Sequence, residues 1–484
     1  SVASSITNSM MMNYDPNINV NVATATNPSS AFAAIIPPKL PTKLPPIKLP
    51  PLVPPKFKSV HVSNPILIHS GGGFFSSHNS YWSFEVTTTL NPEYNAGRIP
   101  PAFLNGQSSV SVRRRFRHFV SLEEKLREAC RGCILPPRPD KHATRAIEEA
   151  GGQSEEFALS RARELDEYMS LVALHPKAGF TDELTLFLTL ADDIGTAWPD
   201  VSSNALTRLT EGTQNLVKHV TGNADKDFYQ GENGLEDDAS VLALSCQESL
   251  RIGAISQAVP KLEGALVLLK EFAEKAGDVG VELNRVVLNV GRGNKQLRLG
   301  PKEELDAFSG AMLRSGRRSK RSAMEAVVAL RPFVYQYKIC RNVRIAFADR
   351  RKALGKKVEM RDRADEKAHR LLSYQYQMNA TQNTAPQAPV YNPYGNEMAN
   401  TATSMQMELE RMEMEAATSD EAANASANEA VQVGTMVKEE VTRLAETRRK
   451  EWMSGMKVLA ASMKEAAGEQ RAIWEAALVT MHDN

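Results

Sequence analysis

The chain reads as an α+β domain, a three-stranded antiparallel sheet plus helices, followed by an all-α region of three long antiparallel helices in a coiled coil. Three observations predict this. Aromatic and β-branched runs occupy the stretch from Phe57 to Arg115. Helical spacing takes over from Val120. Beyond about Asp238 the chain keeps a helical period in three segments far longer than the usual globular helix of roughly 8–20 residues.

Residues 1–56 are expected to be a disordered, proline-rich linker. The first part is rich in Asn, Ser, Thr and Ala, and Pro37 to Pro55 repeats proline and lysine as PPKLPTKLPPIKLPPLVPP. Such a run favours extended polyproline II backbone, either as a ligand for aromatic grooves or as a stiff basic linker. Val60, Val62, Ile66 and Ile68 suggest a first strand with a break at Pro65, and Gly71 to Gly73 supplies a turn. Tyr81 to Leu90 (YWSFEVTTTL) is the second strand, and a third runs through Val110 and Val112 into Arg115. Val120 to Cys130 reads as a helix, followed by the loop Leu135 to Lys141 (LPPRPDK). Helices resume from about Glu155 to Leu174 and from Thr181, an N-cap candidate, to Leu190. The domain is set at residues 57–195.

Residues 199–222 form a separate amphipathic element. Leu206, Leu209, Leu216, Val217 and Val220 share one helical face, with Arg208, Glu211, Gln214 and Lys218 on the others. It either docks on a neighbour or lies in a membrane interface. Residues 236–484 carry the long helices, at about 238–290, 302–378 and 400–481. In the last, Val437, Val441, Leu444, Trp452, Met456, Leu459, Met463, Ala466, Trp474, Ala477 and Met481 keep one stripe, interrupted by Arg448 and Gln470.

A chain of 484 residues exceeds one hydrophobic core, and its formal net charge of +1 excludes a global polycation. No apolar run approaches the roughly 20 residues of a bilayer span, the best candidate, Ala31 to Ile36, stopping at Pro37, so a membrane role is expected to be peripheral. No targeting segment is legible. Cys130 and Cys133 form a lone CxxC without a second pair, which reads as a helix end, so neither a metal nor another cofactor is expected. Enzyme motifs are absent: GRGNKQ at Gly291 lacks a third glycine, and HSGGGFF lacks the Lys and Ser/Thr of a phosphate loop. The chain is expected not to be an enzyme.

Val112 to Phe119 (VRRRFRHF) concentrates arginines at a strand end beside aromatic rings. A guanidinium donates two parallel hydrogen bonds to phosphate, and a ring packs on the apolar face of a sugar-like ring. Alternation along a strand puts Arg113 and Arg115 on one face, Arg114 and Phe116 on the other. A solvated basic edge strand has the same pattern. Lys141 ends the stiff loop, and Arg161 lies four residues before Leu165 on a packing stripe, so three basic groups from three elements can converge. Between Ala311 and Arg370 stand eighteen Lys or Arg against six Asp or Glu. That excess wants an anionic partner, with Arg350, Arg351, Lys352, Lys356 and Lys357 as candidates for a membrane-facing surface. Nucleic acid is disfavoured, since the stretch lacks interleaved stacking aromatics.

On YWSFEV, RRFRHF, PPRPDK, RARELDEYM and the closing LHP, the region from Phe57 to about Leu190 resembles a PX domain, the phosphoinositide-binding module of sorting nexins. The helical region resembles the BAR domain of the same proteins, most clearly at Phe347 to Arg350 (FADR) and Arg449 to Trp474. The resemblance implies that Arg115 holds a 3-phosphate, Phe116 stacks on the inositol ring, Lys141 meets the 1-phosphate and Arg161 the 4- and 5-hydroxyls. It tips the amphipathic element toward the membrane. Gly71 to Gly73 and the insertion from Asn95 to Gln107 depart from the familiar loops, which leaves lipid preference open. It further implies binding of phosphatidylinositol 3-phosphate or a related phosphoinositide and an anionic membrane surface. It implies a homodimer or a heterodimer with another sorting nexin, curvature sensing or induction, retromer as a partner, and a place on the cytosolic face of endosomes in retrograde sorting. The alternative is a cytosolic coiled-coil scaffold whose PX-like domain binds protein.

Overall fold

A computed structural model describes residues 53–69, 80–93, 108–139, 155–191, 194–198, 238–292, 302–384 and 395–482. Lys141, the amphipathic element at 199–222, residues 71–73 and 95–107, and all but the end of the proline-rich segment lie outside the described residues.

Strands β1 (Phe57–His69), β2 (Ser80–Leu90) and β3 (Ser109–Arg115) make an antiparallel meander in the order β1-β2-β3. Val60 faces Thr88, and Val86 faces Val112, so alternation brings Val60, Val62, Phe84, Val86 and Val112 to the covered side. Pro65 has no N–H for the ladder. The pairing shifts register between Ser63 and Ile66, and Asn64 takes φ 46° to make the bulge. Helix α1 (Phe116–Ala129) follows β3 directly, α2 (Glu155–Leu174) lies along β1, and α3 (Asp182–Thr189) and α4 (Ile194–Ala197) close the core. Asp166 of α2 accepts from the Val62 N–H at 2.8 Å, and the Ser170 hydroxyl donates to the Val60 carbonyl at 3.2 Å. These two bonds engage part of the outer edge of β1. Phe119 packs edge-on to Phe84 and Phe187, and Phe187 stacks on Trp198. Thr181 caps α3 as its position suggests, accepting from the Leu184 N–H at 3.3 Å.

Two expectations change. Phe116 does not continue the strand; it opens α1, four residues before the expected start at Val120. The His118 ring takes the Arg115 N–H at 3.3 Å, the role a Glu or Gln plays in a capping box. Phe116 is thus not paired with Arg114 on one face of a strand.

Helices α5 (Ala239–Arg292), α6 (Lys302–Thr384) and α7 (Gly395–His482) pack side by side. Gly280 of α5 meets Leu313 of α6, while farther along α6 and α7 pair through Lys356–Glu429, Arg361–Asp420 and Tyr374–Met405. Pro260 and Pro332 sit inside α5 and α6. Both interruptions of the α7 stripe are polar contacts to other helices. Arg448 is buried, with Nε 2.9 Å from Gln336 Oε1 and Nη2 3.1 Å from Glu248 Oε2. Gln470 binds Ser315 and Ser319. Beyond Trp452, which stacks on Phe333 at 5.0 Å, the stripe is corrected: Met456 and Met463 are exposed, and Gly455 takes the inward position. A Cβ at Gly455 would stand 2.6 Å from the Ala329 carbonyl oxygen, so only glycine permits this approach. The expectation about apolar runs is also refined. If two charges are tolerated, α5 holds one stretch within Ala239–Leu283 long and apolar enough to cross a membrane, with only 17% of it buried.

Candidate functional site

The arginines of VRRRFRHF separate into different jobs once β3 and α1 are in place. Arg114 is 1% exposed. Its Nε donates to the Phe187 carbonyl at 3.0 Å, Nη1 to the Arg113 carbonyl at 3.0 Å, and Nη2 to the Leu190 carbonyl. It therefore ties the sheet to the C-terminus of α3, where a cation meets unsatisfied carbonyls. Arg113 donates to the carbonyls of Asn64 and Ser83 and sits opposite Glu85, holding the bulge to β3. Hydrogen bonds from Asn64 and Ser111 hold the Glu85 carboxyl below its ordinary range.

Arg115 has its guanidinium 3.3 Å from the centre of the Tyr81 ring. Phe116, adjacent in the chain, has the guanidiniums of Arg161 and Arg138 at 4.9 Å and 5.7 Å from its ring centre. Three elements thus meet at Phe116: the β3–α1 junction, the loop after α1 through Arg138, and α2 through Arg161, while the expected loop residue Lys141 lies outside the described residues. Arg161 is 3% exposed and shares a packed face with Leu165, as its four-residue spacing suggests, with Glu164 2.8 Å away. Arg138 was not singled out from sequence. The available signal was its place in a proline-bracketed loop, PPRP, which fixes the backbone on both sides.

Arg138 is set by a buried ion cluster. Its Nε is 2.7 Å from Glu123 Oε2, and Arg127 Nη2 is 2.5 Å from Glu123 Oε1. Burial pushes the Glu123 carboxyl up, but the two guanidiniums outweigh it and hold the group at about 2.

The α+β domain rests on the helices at one seam. Asn342 of α6 accepts from Arg127 at 2.7 Å and donates to the Leu135 carbonyl at 2.7 Å. The Gly132 N–H reaches Asp349, and the Ile134 N–H reaches Glu440. Glu440 is 1% exposed and also meets His175 and Arg443. Burial pushes its carboxyl up, and these two partners bring it below the ordinary range. Gly132, at φ 80°, lies against Val433 and Val437 of α7, and Ile134 joins the helical core. Cys130 caps the end of α1 and is buried with Cys133. Among the described residues no group of His, Cys, Asp or Glu could hold a metal ion.

The expected membrane-facing patch requires a correction. Arg350 is buried, its guanidinium donating to the Ala430 carbonyl in a space that Gly434 leaves by having no side chain. Its spacing from Ile339, Val343 and Ala346 places it on the core stripe, a signal the local charge run concealed. Arg351 and Lys352 are exposed, Lys357 is half-buried, and Lys356 pairs with Glu429 at 2.7 Å. Part of the positive excess on α6 is thus met by acids of α7, such as Glu429 and Asp420.

Residues 104–191, which contain this site, match the PX domain family model. The chain is 31% identical over 164 residues to sorting nexin 2A of Arabidopsis thaliana, covering 34% of this chain and 25% of that protein. It is 36% identical over 112 residues to human sorting nexin-30, covering 23% and 24%, and 26% identical over 147 residues to mouse sorting nexin-7, covering 30% and 38%. These matches span about a quarter to two fifths of the relatives' lengths. A chain of the solved SNX-BAR Mvp1 tetramer aligns with TM-score 0.48 and 14% identity, over 86% of this chain and 99% of that one. The chain thus carries a PX domain match at residues 104–191, followed by three long helices, and the relatives it is similar to are sorting nexins.

Proposed function

We propose that this protein is a peripheral membrane protein that binds a 3-phosphorylated phosphoinositide and uses its helical region to sense or induce curvature in endosomal sorting. The observation that carries the reading is the convergence of Arg138 and Arg161 on Phe116, with Arg115 beside it, inside the PX match. Guanidiniums suit phosphate, and several of them near one ring suit a polyanionic head group better than a single charge. Arg115 takes the 3-phosphate and Arg161 the neighbouring hydroxyls; Lys141 is assigned the 1-phosphate on the family pattern alone. The amphipathic element at Leu206, Leu209, Leu216, Val217 and Val220 adds an interfacial contact.

The helices add avidity. Leu268 and Phe272 on α5 and Met324 and Val328 on α6 are 59–67% exposed, an apolar surface that pairing with a second sorting nexin, identical or not, would cover. A dimer presents two PX sites and the exposed cations Arg351 and Lys352 to one surface, so weak terms act together. The cytosolic face of endosomes and a retromer partner follow from the family reading.

Liposome flotation across a phosphoinositide panel tests this. Binding is expected to rise with phosphatidylinositol 3-phosphate and to fall in Arg115→Ala. Equal flotation with plain vesicles, or no effect of Arg115→Ala, would replace the reading with a cytosolic scaffold whose PX domain binds protein.

A further inference from the structure

We propose that Asn342, on the helical side of the molecule, is a positioning residue for the head-group site. The inference rests on the lipid reading above and concerns how that site is held.

A continuous set of contacts joins α6 to the site. The side-chain oxygen of Asn342 takes Arg127 at 2.7 Å, Arg127 takes one Glu123 oxygen at 2.5 Å, and the other Glu123 oxygen takes Arg138 at 2.7 Å. Arg138 in turn lies 5.7 Å from the Phe116 ring centre. The side-chain nitrogen of the same Asn342 donates to the Leu135 carbonyl at 2.7 Å. Leu135 starts the short loop that carries Arg138, so one amide grips both the loop's backbone and the ion cluster that orients its guanidinium.

Asn342 and Glu123 are 3% and 7% exposed. Water is therefore a poor substitute for either contact, and a lost partner leaves a buried polar group unsatisfied. An amide suits the place because it accepts on one atom and donates on the other; neither Asp nor Leu does both. The loop that carries Arg138 is thus held in place by a residue of the long helices. A segment that shifts α6 at this level also shifts Arg138.

The test uses the full chain and a soluble probe, dibutanoyl phosphatidylinositol 3-phosphate, in calorimetric titration. A soluble lipid reads the pocket without avidity. Asn342→Ala is expected to lower affinity about ten-fold, the usual scale for losing a supporting contact behind a ligand-binding group. Binding to phosphatidylserine vesicles without phosphoinositide, which reads the basic helical surface, should stay unchanged. A role in stability alone would lower the melting temperature and leave affinity intact, which would overturn the proposal. Should Asn342→Ala not fold, Arg127→Met serves: it cuts the ion cluster from α6 and keeps the bond to Leu135. The same loss is expected, and unchanged affinity would overturn the idea. Arg115→Ala separates the two levels. If it binds like the unaltered protein, the lipid reading itself fails; if it loses binding while Asn342→Ala keeps it, only the positioning role fails.

Discussion

Replacing Glu123 by Gln removes the one negative charge between Arg127 and Arg138 while keeping the side chain's size. The carboxyl titrates at about 2, against an ordinary value of 4.5. Each pH unit of that displacement is worth about 1.36 kcal/mol, so ionised Glu123 contributes about 3 kcal/mol at neutral pH. Its pKa is depressed in the folded state, so this stability is fully present above pH 4.5. It drains away as pH falls toward 2. A buried guanidinium left without its carboxylate costs a similar amount, about 3–5 kcal/mol, by an independent route. The assay is urea unfolding followed by hydrogen exchange of the α1 amides, which reports this domain separately from the helices. Glu123→Gln should lose about 3 kcal/mol at pH 7 and show a flatter acid limb than the unaltered protein between pH 4.5 and 2. A loss under about 0.5 kcal/mol, within the range of a surface substitution, or identical acid limbs, would refute the ion-cluster reasoning.

Three further outcomes follow from the helices. Gly455→Ala puts a methyl 2.6 Å from the Ala329 carbonyl oxygen and should destabilise the helical region by about 1–3 kcal/mol in thermal melts, with no change in lipid binding by the PX domain. Glu248→Ala strands Arg448 and should cost about 3–5 kcal/mol, whereas Glu248→Leu combined with Arg448→Met and Gln336→Leu should return close to the starting stability. Phe272→Glu, at a position 65% exposed, should leave the melting temperature within a few degrees but weaken self-association in analytical ultracentrifugation.

Much of the fold is legible because its local signals agree with its packing. Aromatic and β-branched residues mark β2, Pro65 marks the bulge, Thr181 marks a cap, and Arg448 and Gln470 stand out from an apolar stripe. The start of α1 was hidden because Arg115 and His118 do the capping, and neither belongs to the usual Ser or Thr with Glu signature. Within the site, Arg115, Phe116 and Arg161 stand out in the sequence by type and spacing, and the structure brings Arg161 over the Phe116 ring. Arg114 is not separable from its neighbours in the sequence, since its partners are the carbonyls of Phe187 and Leu190, 73 and 76 residues away at the end of α3. Arg350 was misread for a related reason. A run of charge along α6 says nothing of which cation meets a glycine gap and a carbonyl on α7, and only the pairing of the helices decides that.

The polar contacts between the long helices have a mechanical meaning. Rods that slide past one another bend easily, because each rod bends alone. Here Arg448 joins α7 to Glu248 on α5 and Gln336 on α6, and Gln470 joins α7 to Ser315 and Ser319 at a second level. Slipping one helix by a turn, about 5.4 Å, would leave these groups facing apolar neighbours. Bending must then stretch one helix and compress another, as in a glued beam, so the three helices resist bending as one body.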